Sequence, residues 1–362
     1  MELKLQTSVV KTLTSKVVKG MGNNKMLPIT EMIGINIENN VLSFVSTDGK
    51  NTVQSHFKLE EPTENISFAI NGNSFAKLVQ KTTTESVTLS IEEDKLTFKG
   101  NGTYKFSLTL DEEGDVVKID PIEIDKEKFE GDAVQEVITR DLKDAYNINK
   151  SSIAVTNEYP AYTGFYFDDT GVITTNSLKI CFFKHPIFKN KLLLKPSFVS
   201  LFSLLDGEKV KVYQTNSEIF IVSDDVTIKS EKMTEIEDFP VENIKPFLEN
   251  EMPYSVKLNK QALLNLLERI SVFVSPFDKN SIKLDFLKEG LRVWTLDGVN
   301  NEIIPYVNAD KFSEASLLVD VINFKELVSS NPDVELTLTY GSPNAMKLTF
   351  GNVTQVIALQ DK

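Results

Sequence analysis

Val172-Ile-Thr-Thr-Asn-Ser-Leu-Lys-Ile180 reads as a strand running into a tight turn, and the same pattern occurs once before it and once after it. The earlier copy is Phe44-Val-Ser-Thr-Asp-Gly-Lys-Asn51 and the later one is Val293-Trp-Thr-Leu-Asp-Gly-Val-Asn300. Aligned on Asp48, Asn176 and Asp297, the copies stand 128 and 121 residues apart, close to one third of the 362-residue chain. A repeat of that size predicts three cores of ordinary dimensions. The middle copy departs from its siblings. It lacks the Asp-Gly turn signal and carries Ser177-Leu178-Lys179 instead, which marks it as a candidate functional turn.

The elements around these turns repeat as well. Each third opens on a segment of helical period: Val10, Leu13 and Val17, then Val134, Ile138, Leu142 and Ala145, then Leu263, Leu267 and Ile270. Period-two strands follow at Ile33-x-Ile35-x-Ile37, Phe165-x-Phe167 and Ile282-x-Leu284-x-Phe286. The second half of each third starts on a buried strand at Phe68-Ala-Ile70, Leu192-Leu-Leu194 or Leu317-Leu-Val319. A short helix carrying Phe75, Phe198 or Phe324 comes next, then alternating strands from Val87, Val210 and Val334. Each third therefore holds two helix-plus-strands halves, an α+β organisation with about six similar units. Expected domain limits are 1–120, 128–250 and 253–362. Two connectors, 111–132 with net charge -7 and 231–251 with net charge -5, contain prolines and are expected to be exposed linkers.

The formal net charge of -13 opposes a nucleic-acid partner unless the basic residues are segregated. They are, in part: residues 1–30 carry five lysines and one acid, which leaves -17 on the rest. An acidic protein with one basic face can still meet a polyanion. No apolar run reaches the length of a membrane span and the first residues lack a signal-peptide core, so a soluble, cytoplasmic protein is expected. Cys181 is the single cysteine, which excludes an internal disulfide.

Catalytic material is sparse. His56 and His185 are the only histidines, Gly20-Met-Gly22 lacks the Gly-Lys-Ser/Thr of a phosphate loop, and Asp168-Asp169 sits where a hairpin needs Asp. Cys181 on an apolar strand reads as a buried structural residue. The sequence offers no catalytic constellation, no cofactor motif and no metal cluster.

Three equal thirds of two α/β halves each, Leu27-Pro28-Ile29 after the first helix and a Thr-Asp-Gly turn after the third strand resemble the bacterial sliding clamp, the beta subunit of DNA polymerase III. The likeness spans the chain. It implies a non-catalytic processivity factor of DNA replication: a six-domain ring made by a head-to-tail homodimer, helices lining the hole, no cofactor, and double-stranded DNA, DNA polymerase and a clamp loader as partners. By position, Lys11, Lys16, Lys19, Asn24, Lys25, Lys77, Lys81, Arg140 and Lys143 would face DNA. The partner-peptide pocket would be Tyr162, Thr175, Ser177, Leu178, Lys179, Ile180, Pro240, Ile244, Ser342, Val356, Ile357, Ala358 and Leu359. The dimer interface would include Phe106, Leu108, Val272 and Phe273. Where the family commonly has Gly-His-Arg, this chain has Ser177-Leu178-Lys179, and its tail lacks Met-Pro-Met. The alternative is a three-domain β-rich structural or interaction protein without DNA binding, which would need no basic helix faces.

Overall fold

The computed structural model describes residues 2–361 except Glu93, Lys126, Lys128 and Asn157, and gives no side-chain surroundings for Asp132. The first third contains β1 (Glu2–Gln6), α1 (Thr7–Val17), β2 (Met32–Glu38), β3 (Val41–Thr47), β4 (Asn51–Lys58) and β5 (Ile66–Asn71), followed by α2 (Gly72–Lys81), β6 (Ser86–Glu92), β7 (Lys95–Lys99) and β8 (Thr103–Ser107). The middle third repeats the order. It holds β9 (Val134–Ile138), α3 (Thr139–Asn149), β10 (Phe165–Phe167), β11 (Val172–Thr175), β12 (Lys179–Phe183) and β13 (Leu192–Leu194), then α4 (Pro196–Ser200), β14 (Lys209–Gln214), β15 (Glu218–Val222) and β16 (Val226–Glu231). After α5 (Val241–Glu249) the last third brings β17 (Tyr254–Asn259), α6 (Lys260–Ser271), β18 (Ser281–Leu287), β19 (Gly290–Thr295), β20 (Asn301–Ile304), β21 (Asn308–Lys311) and β22 (Ala315–Asp320). It ends on α7 (Val321–Ser330), β23 (Glu335–Tyr340), β24 (Ala345–Phe350) and β25 (Val353–Ala358).

The strands join antiparallel into four sheets, ordered β1-β6-β7-β8, β5-β2-β3-β4-β16-β15-β14-β9, β13-β10-β11-β12-β25-β24-β23-β17-β21 and β20-β19-β18-β22. Each long sheet is two half-sheets welded edge to edge. Thr52 stands opposite Lys229 where β4 meets β16, and Ile180 stands opposite Val356 where β12 meets β25. These welds carry the two halves of the middle third into different neighbours. The compact units are accordingly 1–140 with 200–232, and 141–199 with 233–362.

Helix starts are fixed locally. Asn71, Asn259 and Asp320 each cap the helix that follows, accepting a hydrogen bond from the backbone N–H of Ser74, Ala262 and Asn323. The apolar face of each short second helix is anchored by a fully buried phenylalanine, Phe75, Phe198 or Phe324. Phe75 meets Phe44, Phe98 and Phe106 edge to face at 5.8, 6.2 and 5.7 Å. Burying such a ring contributes about 2–3 kcal/mol.

Two sequence expectations are corrected. Val134 and Ile138 do not open a helix; they lie on β9, whose buried residues are Gln135 and Val137, and α3 begins at Thr139. A spacing of four is an even number, so it fits a strand face as well as a helix face. The acidic connectors are not plain exposed linkers. Ile119 is buried against Val45 and Ala69, Asn36 donates to its carbonyl at 3.0 Å, and Gly34 has no side chain because a Cβ there would lie 2.7 Å from Ile119. In the second connector, Val241, Ile244 and Leu248 line the inner side of α5 and pack with Phe239 against Tyr166 and Ile173. Most of the described charged residues of both segments are exposed and mask the few apolar anchors beneath.

Candidate functional site

The turn at Asn176 keeps the geometry that its sequence conceals. Asp48 Oδ1 accepts from the N–H groups of Lys50 and Asn51, Asp297 Oδ1 accepts from Val299, and Asn176 Oδ1 accepts from Leu178 and Lys179 at 3.1 and 2.8 Å. In all three copies a threonine hydroxyl, from Thr47, Thr175 or Thr295, donates to the carbonyl that closes the turn. Gly49 and Gly298 hold φ of 91° and 71°, and Ser177 takes the same left-handed place at 74°. A side chain there costs energy that glycine avoids. The strained residue is the one whose neighbour, Leu178, is 55 % exposed.

Lys179 is 2 % exposed and pairs through Nζ with Glu326 Oε2 on α7. Asn51, its counterpart in the first copy, is equally buried but satisfied by Asp48 and Ser230. Lys179 is therefore not a polar rim of a peptide pocket, which corrects the sequence expectation. Alternation along β12 is the cause: Ile180 and Phe182 point toward α5, whereas Lys179 and Cys181 point toward α7 and α3. The same rule places Val356 beside Ile180 and moves Ile357 into the core of the last third, where Leu359 also packs. The expected pocket residues on β12 and β25 thus divide between the two faces of one sheet.

On the α5 face, Tyr162, Ile180 and Ile244 share one apolar cluster. Thr175 lies opposite Ile180, and the Ala358 N–H donates to the Leu178 carbonyl at 2.9 Å, tying the tail to the turn. Ser342 is half-buried in the turn between β23 and β24. A cavity of about 900 Å³ runs along α5, lined by Tyr162, Tyr166, Phe182, Pro240, Leu248 and Thr354 among others. Of the expected set it includes Tyr162 and Pro240.

The expected DNA-facing residues divide differently. Lys19, Asn24, Lys25, Lys77, Lys81 and Arg140 are exposed, and Lys11 and Lys143 are half-buried. Lys16 is a correction: its side chain is 12 % exposed and its ammonium sits 2.7 Å from both Asp206 and Asp225. Burial alone would lower its pKa, but the two carboxylates outweigh that and hold it above the ordinary 10.5. The contribution to stability is full below pH 10.5 and fades as pH rises through the higher folded value. Lys16→Ala is expected to cost about 1–2 kcal/mol, because it leaves two neighbouring carboxylates uncompensated. A thermal melt reads this as a lowered midpoint, and an unchanged midpoint would show that the cluster stabilises nothing. Sequence reasoning missed Met26, 89 % exposed at the tip of the same loop as Lys25.

The expected interface residues divide between β8, which carries Phe106, and the segment after α6, which carries Val272 and Phe273. β8 is a terminal strand of its sheet, and so is β20. Val272 and Phe273 are 76 % and 61 % exposed, and Phe277, missed in the sequence, is 98 % exposed. Phe106 is half-buried against Phe75. Leu108, at 7 % exposure, belongs to the core of its own unit, which corrects its assignment to a contact surface.

Cys181 is fully buried and its thiol is pushed up to about 12 by burial. Such a thiol is no nucleophile near neutral pH. His185 Nε2 lies 2.8 Å from Asp141 Oδ2 and its ring stacks on Phe183. Asp168 Oδ1 accepts from Thr170 and Gly171 and so closes its hairpin. Among the described residues no group of His, Cys, Asp and Glu is placed to hold a metal ion.

Six half-units of this kind, in this order and with these sheet welds, define the DNA sliding-clamp fold. Over 100% of this chain the structure is similar to the DNA polymerase III subunit beta of Borrelia burgdorferi, with a TM-score of 0.86 at 16% identity and 99% of that chain covered. The DNA polymerase sliding clamp of Bacillus subtilis gives 0.84 at 14% identity over 100% and 99% of the two chains. The beta subunit from DNA polymerase of Streptococcus pyogenes gives 0.84 at 14% over 100% of both. Residues 1–116 match the family described as DNA polymerase III beta subunit, N-terminal domain. No curated protein matches the chain by sequence. Among the described residues, no helix is long and apolar enough to cross a membrane.

Proposed function

We propose that the chain is a DNA sliding clamp, a non-catalytic processivity factor that encircles duplex DNA in the cytoplasm and tethers a replicative polymerase. It acts as a homodimer of three-domain chains, with domains at 1–120, 128–250 and 253–362, and a separate loader opens it. One observation carries this reading. Within the chain, the strand equivalent to β4 always meets the strand equivalent to β16: β4 with β16, then β12 with β25. Among the described residues the repeat leaves β20, the third counterpart of β4, and β8, the third counterpart of β16, without such a partner in their sheets.

A second copy satisfies both edges at once. β8 of one chain pairs with β20 of the other at two equivalent junctions, so the assembly closes instead of growing. Free edges of this kind invite pairing, and Phe273 and Val272 beside β20 supply apolar surface to bury. The exposed Lys77 and Lys81 of α2, with Lys19 just beyond α1, supply a modest positive surface, sufficient for a ring that holds DNA by topology. Leu178, Ile180, Val356 and Ala358 with Pro240 and Ile244 form the partner-peptide site in this reading. The reading of a β-rich structural protein has no use for those lysines.

Retention on DNA tests the proposal. After loading, the protein should stay on a closed circle through a high-salt wash and leave once the circle is cut. Equal retention on linear DNA, or no retention on the circle, would defeat the clamp reading.

A further inference from the structure

The junction between subunits can be read from the junction inside the chain, and this inference rests on the dimer proposed above. Lys16 and Arg269 occupy the same helical position. The buried residues Val10, Leu13, Thr14 and Val17 of α1 match Leu263, Leu266, Leu267 and Ile270 of α6, which puts Arg269 in the place of Lys16. Lys16 lies beside the weld of β4 and β16 and is held by Asp206 and Asp225, both from the half-unit that β16 ends. Arg269 lies beside the unpartnered β20, where it is held on its own chain by Glu302.

The counterparts of the two aspartates are Thr83 and Asn101. Asp206 follows Leu205, whose N–H bonds to the Phe202 carbonyl at 3.2 Å; Thr83 follows Thr82, whose N–H bonds to the Val79 carbonyl at the same distance. Asp225 stands five residues before Ser230, and Asn101 five before Phe106, where Ser230 and Phe106 oppose Ile219 and Leu96 in matching registers. The two loops also meet each other. Thr83 N–H donates to Asn101 Oδ1 at 2.8 Å and Asn101 Nδ2 donates to Thr83 Oγ1 at 2.7 Å. Both residues are exposed beside the free edge of β8.

We infer that Arg269 is a subunit-junction residue, received by the Thr83–Asn101 corner of the second copy in the place where Lys16 is received by Asp206 and Asp225. A guanidinium offers five donors, so it can keep Glu302 and still reach the partner's amide and hydroxyl oxygens. The chain thus builds its subunit junction with neutral acceptors where the internal weld has two carboxylates. Neutral acceptors hold a cation less strongly than charged ones. The subunit junction is the weaker seam, and the ring opens there.

Asn101→Asp restores a carboxylate and leaves the hairpin intact, since Asp-Gly supports the same turn as Asn-Gly. In the full-length protein it is expected to tighten dimerisation roughly three- to tenfold, measured by analytical ultracentrifugation, with the gain shrinking as salt is raised. Thr83→Asp, on the other loop, should act in the same direction. In an Arg269→Ala background both gains should vanish. A dissociation constant that is unchanged by either aspartate, or a gain that survives Arg269→Ala, would overturn the inference while leaving the dimer in place. A wild-type chain that never dimerises would overturn the dimer reading itself.

Discussion

A chain carrying Thr103→Cys and Asn301→Cys is expected to oxidise into a covalent dimer closed by one disulfide at each subunit junction. The register follows from the internal weld of β4 and β16. At this first weld Thr227 faces Gln54, and Asn301 pairs with Trp294 as Gln54 pairs with Val45, so the third member of the series puts Asn301 opposite Thr103, the counterpart of Thr227, of the second copy. Directly opposed residues of antiparallel strands lie about 4.5–5.5 Å apart at Cα, inside the range a disulfide spans. Neither substitution touches a core, and buried Cys181 does not compete for the new thiols. A non-reducing gel should show nearly complete conversion to dimer. Oxidised after loading, the ring should remain on circular DNA under conditions that release the reduced form. The control pair Thr103→Cys with Ile303→Cys is displaced by two residues, which sets the diagonal separation at about 7–8 Å and should cross-link poorly. Equal yields from both pairs would mean that the edges do not pair in this register.

The second large effect is expected at the Asn176 turn. Leu178→Asp should weaken capture of the cognate replicative polymerase by immobilised protein about a hundredfold, the loss typical of removing an apolar anchor from a docking site. The fold should be indifferent, because Leu178 is 55 % exposed and the turn is held by Asn176, Thr175 and the Lys179–Glu326 pair rather than by the leucine side chain. Dimerisation and retention on circular DNA should also persist. Polymerase capture at wild-type strength, with the melting temperature unaltered, would remove Leu178 from the site. The strained conformation of Ser177 fits such a role, since an unfavourable φ survives where the surrounding bonds over-determine it.

Much of this fold is legible in the chain because its signals are local. The period-two strands at Ile33–Ile37 and Ile282–Phe286, and the helix faces at Val10–Val17 and Leu263–Ile270, are written in nearest-neighbour chemistry and appear as read. Where a local signal is ambiguous it misleads. The spacing of Val134 and Ile138 admits both periods, and the acid-rich stretch around Val241 hides a helix whose three apolar contacts are outnumbered by charge. The candidate site was less legible than the fold. Positional resemblance marked Lys16, Lys179 and Leu108 as surface groups, but two carboxylates, Glu326 and the core of the first unit claim them instead.

By itself the sequence determined the threefold repeat, the two half-units in each third and the position of the unusual turn. Those properties depend on residue type and spacing along the chain. Only the tertiary structure decided which face of β12 each residue serves, that Ser177 adopts a glycine's conformation, and which two strand edges the repeat leaves without a counterpart. Those depend on pairing between residues more than a hundred positions apart, such as Lys16 with Asp206 and Ile180 with Val356, and no local pattern encodes the partner. The strand edges at β8 and β20 become meaningful once the internal welds are seen, because the chain then shows twice how the proposed third junction would be made.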